Sequence, residues 1–116
     1  MTTAADAIKI FITPHLAGWR IQFGRWVDGS KADRYAVIRP VGGMPASLVR
    51  RPQFSILLVG AANDPASLPS IKAEAIIEAM RAGNGTLVVM TAGEPVYSTA
   101  TDGRHIFEFP VSTITN

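Results

Sequence analysis

The segment at residues 54–59 constrains the fold more than any other part of the chain. All of its residues are apolar except Ser55, so a strand made from them would be apolar on nearly both faces. Strands of that kind are buried inside a sheet and covered on each face. We therefore expect residues 54–59 to form a central strand.

The other apolar residues follow either strand or helix spacing. Alternation of apolar and polar residues is typical of a half-buried strand, whereas spacing of three and four is typical of an amphipathic helix. Helical spacing occurs twice, at Ile8, Phe11 and Ile12 and at Ala73, Ile76, Ile77 and Met80. Strand patterns occur four more times, at residues 19–23, 35–39, 86–90 and 104–111.

These elements predict one α+β domain over residues 1–116. Their order is α-β-β-β-α-β-β, with the strands grouped in hairpins. The simplest packing is a mainly antiparallel or mixed sheet of about five strands that carries both helices on one face. Pro110 lacks a backbone donor, so we expect the last strand to lie at a sheet edge or to end there.

Local signals predict where several elements begin and end. Pro14 should end the first helix, because the residue before a proline is disfavoured in a helix. Ser67 is the expected N-cap of the second helix. Gly24 is expected to form a bulge in the first strand. Residues 93–103, which contain two glycines and a proline, are expected to form a loop before the last strand.

Composition limits the chemistry that this domain can perform. The chain has no cysteine, which excludes disulfides, thiol catalysis and every cysteine-liganded zinc site. No apolar run approaches the about 20 residues that cross a bilayer, and no signal-peptide pattern is present. Apolar residues make up 47% of the chain, enough for a core without covalent staples. We expect a soluble cytoplasmic protein.

The charges are unevenly distributed, although the net charge is only +2. Residues 18–52 carry seven arginines and lysines against two aspartates, whereas residues 53–116 carry three cations against six carboxylates. Arginine is favoured at interfaces, because its planar guanidinium pairs with a carboxylate through two hydrogen bonds. The pattern is typical of an interaction surface, but an ordinary solvated face would also produce it.

The connection at residues 41–51 is the strongest candidate for a functional segment. It is longer than most hairpin loops and contains Gly42, Gly43 and Pro45, so we expect it to be exposed and mobile. An apolar pair beside two cations suits an interface. The candidate assembly residues are Leu48, Val49, Arg50 and Arg51, together with Arg34 and Arg39 from the preceding strand and its flank. Alternatively, the apolar pair begins the next strand and packs into the subunit's own core.

No group of residues predicts catalysis or a bound cofactor. His15 and His105 are far apart in the sequence, and neither has a second ligand at metal-binding spacing. Glu74 and Glu78 fit the solvated face of a helix better than an acid–base pair. The chain also lacks a nucleophile elbow and a phosphate-binding loop. We therefore expect no enzyme activity, no cofactor and no metal.

A small nucleic-acid-binding module is the alternative from another functional class. Arginines are interleaved with aromatic residues between positions 19 and 35, as on sheets that stack bases. The alternation, however, places Trp19 and Phe23 on the face opposite Arg20, where aromatic side chains would form a core. This disfavours a base-stacking surface, so nucleic acid is not the expected partner.

The layout of the whole chain resembles that of a known family. A short N-terminal helix at residues 4–13 leads directly to a strand at residues 18–27. Paired strands at residues 34–40 and 51–60 flank a glycine-containing loop, and one amphipathic helix follows at residues 71–81. The chain closes with Gly93-Glu94-Pro95-Val96-Tyr97 and with an Asp102-Gly103-Arg104 turn before an aromatic-rich strand. In this layout the chain resembles the tail terminator proteins of long-tailed bacteriophages, also known as tail completion or minor tail proteins.

The resemblance implies a structural, non-enzymatic role in virion assembly. Proteins of that family form a ring, usually sixfold, on the end of the completed tail tube, stop its polymerisation and join it to the head connector. The implied partners are further copies of the chain itself, as a hexamer, the tail tube protein and the head connector protein, with no membrane. The implied location is the cytoplasm of the bacterial host during assembly and then the virion tail. A head–tail connector or minor capsid protein is the alternative within the same class.

Overall fold

Two helices and a six-stranded sheet make up the described part of the chain. A computed structural model describes residues 4–26, 29, 32–44, 51–82 and 89–114. In chain order the elements are α1 Ala4–Ile12, a 3₁₀ turn Thr13–His15, β1 Arg20–Phe23, β2 Tyr35–Met44, β3 Arg51–Val59, α2 Ser67–Arg81, β4 Val89–Ala92, β5 Val96–Thr99 and β6 His105–Ile114.

The three longest strands form the centre of the sheet. β3 lies between β2 and β6 and is antiparallel to both, so that Ile56 stands between Ile38 and Phe109. β1 pairs with the outer edge of β2, whereas β4 and β5 both pair with the outer edge of β6. The predicted α+β class and the central position of residues 54–59 are confirmed.

Both helices pack on one face of this sheet, as predicted. Ile8 and Ile12 of α1 are fully buried there, because they share one side of the helix. The predicted stripe of α2 is buried on the same sheet face, at Ala73, Ile76, Ile77 and Met80. The sheet contributes alternate residues to this core, namely Ala36, Ile38, Phe54, Ile56, Leu58, Phe109 and Val111. We call this the helix face, and its opposite the second face.

The connection between β1 and β2 covers part of the second face. These strands are parallel, so the chain must cross the sheet between Phe23 and Tyr35. The crossover brings Trp26 against a small second core of Tyr35, Val59 and Ile106. The Gly29 backbone N–H donates to the Tyr35 hydroxyl at 2.7 Å, and this hydrogen bond fixes the crossover to β2. The expected grouping of strands in hairpins is therefore wrong for β1 and β2.

The predicted connection at residues 41–51 is shorter than expected. β2 continues to Met44 and β3 begins at Arg51, so both ends of the connection belong to the sheet. The register between the two strands shifts between Pro40 and Gly43, and this irregularity lets β2 continue past a residue without a donor. Val41 is 54% exposed. Residues 45–50 lie outside the described residues.

Two further boundaries differ from the prediction. β1 ends at Phe23, because Gly24 has a φ of +89° and turns the chain out of the strand instead of bulging within it. Ala66 is the N-cap of α2 and Ser67 is its first residue, since backbone hydrogen bonds to Pro65 and Ala66 already close the first turn. The 3₁₀ turn that contains Pro14 follows α1, in agreement with the predicted helix end.

The sixth strand, β5, occupies part of the predicted loop at residues 93–103. It forms a hairpin with β6, in which Val96 lies opposite Glu108 and Thr99 opposite His105. The hairpin turn is closed by two 2.9 Å hydrogen bonds, from Gly103 N–H to the Ala100 carbonyl and from Ala100 N–H to the Arg104 carbonyl. Gly103 has a φ of +89°, which suits glycine at this position of a three-residue turn. All four residues of β5 are exposed, so no buried alternation marks it.

Pro110 lies inside β6, neither at the end of that strand nor at a sheet edge. Its carbonyl accepts the Gly93 N–H at 2.9 Å, so the backbone of residue 110 faces β4 and β5. On that side of β6 the hydrogen-bonded pairing is interrupted between β5 and β4. Pro110, which has no N–H to donate, lies at this interruption. Gly93 lies close to the Pro110 ring, since a Cβ at position 93 would come within 2.7 Å of its Cγ.

Gly93→Ala is expected to lower the free energy of unfolding by about 1–3 kcal/mol, because the added methyl group would force the Pro110 ring and β6 to move. Gly60→Ala is the matched control, because a Cβ there would meet no atom closer than 3.6 Å. We expect the control to change stability by less than about 1 kcal/mol. Urea denaturation measures both, and equal stability of the two variants would contradict the packing described.

Candidate assembly surface

The predicted assembly residues occupy different parts of the structure. Leu48, Val49 and Arg50 lie outside the described residues, and Arg51 is the first residue of β3. Arg34 immediately precedes β2. Arg39 lies within β2, on the second face. Each of the last two pairs with a carboxylate from the acidic half of the chain, so part of the charge separation seen in the sequence is neutralised within the subunit.

Arg34 forms a two-pronged ion pair with Asp64. Its Nε and Nη2 donate to the two carboxylate oxygens at 2.6 and 2.8 Å. Asp64 also accepts the Ala61 backbone N–H at 2.8 Å. The hydrogen bonds from Arg34 hold the pKa of Asp64 below its usual range and raise the pKa of Arg34. The pair joins the start of β2 to the β3–α2 connection.

Asp64→Asn is expected to destabilise the fold by at most about 1 kcal/mol at pH 7, because the pair is partly exposed to water. The hydrogen bonds from Arg34 lower the pKa of Asp64 on folding, so its stabilising effect is complete above the pKa of the unfolded chain, about 3.9, and is lost as the pH falls through the lower pKa of the folded state. Urea denaturation at pH 7 and pH 3 should show the difference between wild type and variant shrinking in acid. A difference that stays constant would contradict the assigned pair.

Arg39 lies on the part of the second face that the crossover leaves open. Its Nη1 is 3.7 Å from Oε2 of Glu108, and the Ser55 hydroxyl donates a short hydrogen bond to the same oxygen. The side chains of Arg39 and Glu108 are 44% and 42% exposed. This open part of the sheet is therefore solvated and charged, and the exposed Val96 lies beside Glu108 on it.

Sequence analysis missed the most buried cation of the described residues. Arg104 is 3% exposed, and its guanidinium stacks on Trp26 with 4.6 Å to the ring centroid. The Arg104 Nη2 also pairs with Oδ2 of Asp102 at 2.9 Å. This contact holds the crossover against the start of β6. The only signal in the sequence is the position of Arg104 directly after the Asp-Gly turn.

Arg104→Ala is expected to lower the free energy of unfolding by about 2–4 kcal/mol, because it removes a buried cation and the stacking partner of Trp26. Arg81→Ala is the matched control, since Arg81 pairs with Glu78 on an exposed face of α2. The control variant should lower the free energy of unfolding by less than about 0.5 kcal/mol. Denaturation of both proteins tests this, and a loss in the control as large as in Arg104→Ala would refute the structural role.

Three strand edges are unpaired among the described residues, because β1 pairs only with β2, and β4 and β5 each pair only with β6. The β1 and β5 edges expose apolar side chains, with Phe23 at 46%, Val96 at 66% and Tyr97 at 49%, whereas Met90 of β4 is buried. Exposed edge strands are templates for pairing with another chain. These edges are therefore the described surfaces best suited to assembly.

An aromatic group lies at the β5 edge. Nδ1 of His105 is 2.7 Å from the Tyr97 hydroxyl, and the Tyr97 ring contacts Phe107 at 5.2 Å between centroids. His105 is half-buried here. Across the described ranges, no three histidine, aspartate or glutamate side chains come together in a way that could hold a metal ion.

The comparison with known families covers every residue of the chain. A family model described as phage tail termination protein matches residues 1–116. The chain belongs to the phage tail termination protein family. This confirms the resemblance seen in the layout of the sequence and assigns the tail terminator to the structural proteins of the virion tail. Tail termination implies contacts with tail and head proteins in general.

The chain has no match among the curated proteins with which it was compared. Neither helix of the described residues is long and apolar enough to cross a membrane.

Proposed function

We propose that this tail terminator closes a ring of identical copies on the end of the tail tube, stops its polymerisation and joins it to the head connector. The family match over residues 1–116 carries the proposal. A ring needs two different, complementary surfaces on each subunit, because only a head-to-tail contact closes by rotation. The unpaired edges of β1 and β5, at opposite ends of the sheet, would supply these two surfaces. The role involves no catalytic step.

The hairpin of β2 and β3 is the second part of the proposal. β1 covers β2 only from Tyr35 to Ile38, so β2 extends beyond it toward Met44. We assign the contact with the tube or the connector to this end of the subunit, where Arg39 and the connection at residues 45–50 belong. Leu48 and Val49 would supply apolar contact area, and the neighbouring arginines would fix the orientation.

Tail length tests the proposed function directly. Phage that lack this protein should produce tubes of uncontrolled length that fail to join heads, and supplying the wild-type protein should restore a single length in electron micrographs. Arg50→Ala/Arg51→Ala should keep the free energy of unfolding within about 1 kcal/mol of wild type, as for surface changes, yet terminate tubes poorly. Lys72→Ala, a change on α2, is the control and should terminate normally.

Two outcomes would contradict this assignment. A double variant that unfolds readily while still terminating tubes would make Arg50 and Arg51 structural residues. Tubes of normal length that fail to join heads in the absence of the protein would instead favour the head–tail connector.

A further inference from the structure

We propose that the ring closes through the sheet itself, by antiparallel pairing of β1 of one subunit with β5 of the next. This inference rests on the ring of the proposed function and identifies the contact that would close it. The occupant of each open edge is thus a second copy of this chain. The argument depends on which backbone groups, side chains and charges the two edges present.

The outer edge of β1 presents the backbone groups of Ile21 and Phe23. Arg20 N–H donates to the Arg34 carbonyl at 2.8 Å, and Gly24 N–H donates to the Ile38 carbonyl at 2.9 Å. The backbone N–H and C=O groups of the even-numbered residues of β1 therefore point toward β2. Because successive residues of a strand point their backbone groups to opposite sides, the two odd positions of β1 point outward.

The outer edge of β5 presents the backbone groups of Tyr97 and Thr99. Ala100 N–H donates to the Arg104 carbonyl, so residue 100 faces β6. Val96 and Ser98 face the same way by alternation, and they lie opposite Glu108 and Ile106. Each open edge thus offers two residues whose outward donors and acceptors have no backbone partner among the described residues.

The strand directions permit an antiparallel joint. β1 and β6 both run in the direction of β2, whereas β5 runs opposite to β6. A neighbouring subunit in the same orientation therefore brings its β1 alongside β5 in the antiparallel sense. Antiparallel pairing is the more stable of the two and keeps the helix faces of both subunits on the same side.

Only one register pairs all four outward residues within the two strands. It places Ile21 opposite Thr99 and Phe23 opposite Tyr97. A slip of one residue would set outward groups against inward ones. A slip of two would place Phe23 opposite Pro95, which has no N–H to donate.

The side chains agree with this register. Phe23 and Ile21 project toward the helix face, as do Tyr97 and Thr99, because each pair is two residues apart on its strand. Phe23 and Tyr97 are about half exposed in the single subunit. The joint would place these two rings side by side as a cross-strand aromatic pair and remove both from water.

The charges select a head-to-tail contact over a two-fold one. Arg25 follows β1 and Glu94 precedes β5, so they meet at the same end of the joint, and both are exposed. Antiparallel pairing of two β1 edges would instead bring Arg25 of each copy near Arg20 of the other, which already pairs with Asp33 at 2.8 Å. Antiparallel pairing of two β5 edges would bring Glu94 of each copy toward Asp102 of the other. Like charges across a strand pair are unfavourable, and unlike edges lead to a closed ring.

Engineered cysteines test the joint, and the chain has no native cysteine to interfere. Gln22 and Ser98 would stand directly opposite each other in a pair with a Cα separation of about 4.5 Å, which suits a disulfide. Under mild oxidation of assembled protein, Gln22→Cys/Ser98→Cys should form covalent multimers. An equimolar mixture of the two single variants should form dimers only. Gln22→Cys/Thr91→Cys is the matched control, because Thr91 lies on β4 and should not cross-link.

The outcomes separate this proposal from the proposed function. Subunits that assemble and set tail length, but whose Gln22→Cys/Ser98→Cys variant stays uncross-linked, would overturn the joint and leave the function standing. Cross-linking of either single variant with itself would also overturn it, because that requires a two-fold contact. Wild-type protein that neither assembles nor sets tail length would overturn both.

Charge reversal gives an independent measurement. Arg25→Glu and Glu94→Arg should each weaken self-association by about fivefold, as measured by sedimentation at 0.1 M salt, because each places like charges at one end of the joint. The double variant should return to within about twofold of wild type. Losses that add in the double variant would show that Arg25 and Glu94 do not meet.

Discussion

The pairing of β3 with β2 and β6 is the interaction on which the rest of the structure depends. It aligns three long strands, so that alternate residues such as Ile38, Ile56 and Phe109 form one continuous apolar surface. That surface is wide enough to bury the stripes of both helices. It also sets the positions of the outer strands, because β1 can add only to β2, and β4 and β5 only to β6.

The two faces of the sheet are covered in different ways. The helix face is covered by α1 and α2, whereas the described residues cover the second face at the crossover, where Trp26 stacks on Arg104. Beyond that contact Arg39 and Glu108 are exposed to water, beside the exposed Val96. Phe23 and Tyr97 remain exposed at the strand edges and project toward the helix face.

Features that follow from local periodicity could be predicted from the sequence, and features that depend on chain direction could not. The stripe of α2 and the central strand follow from spacing within a few residues. The parallel pairing of β1 and β2 does not follow from such spacing, because apolar and polar residues alternate in the same way in parallel and in antiparallel strands. β5 was missed because a strand exposed on both faces has no buried alternation. In the candidate site, Arg34 and Arg39 were recognisable as cations, but their partners Asp64 and Glu108 are distant in sequence.

Residue-resolved hydrogen exchange, before and after the purified subunit assembles, tests most directly whether the sheet edges join the subunits. The amides of Ile21, Phe23, Tyr97 and Thr99, which point outward in the single subunit, should become protected on assembly. Amides that point outward from β4, at Met90 and Ala92, should exchange as before. Assembly that leaves the amides of β1 and β5 unprotected would contradict the account.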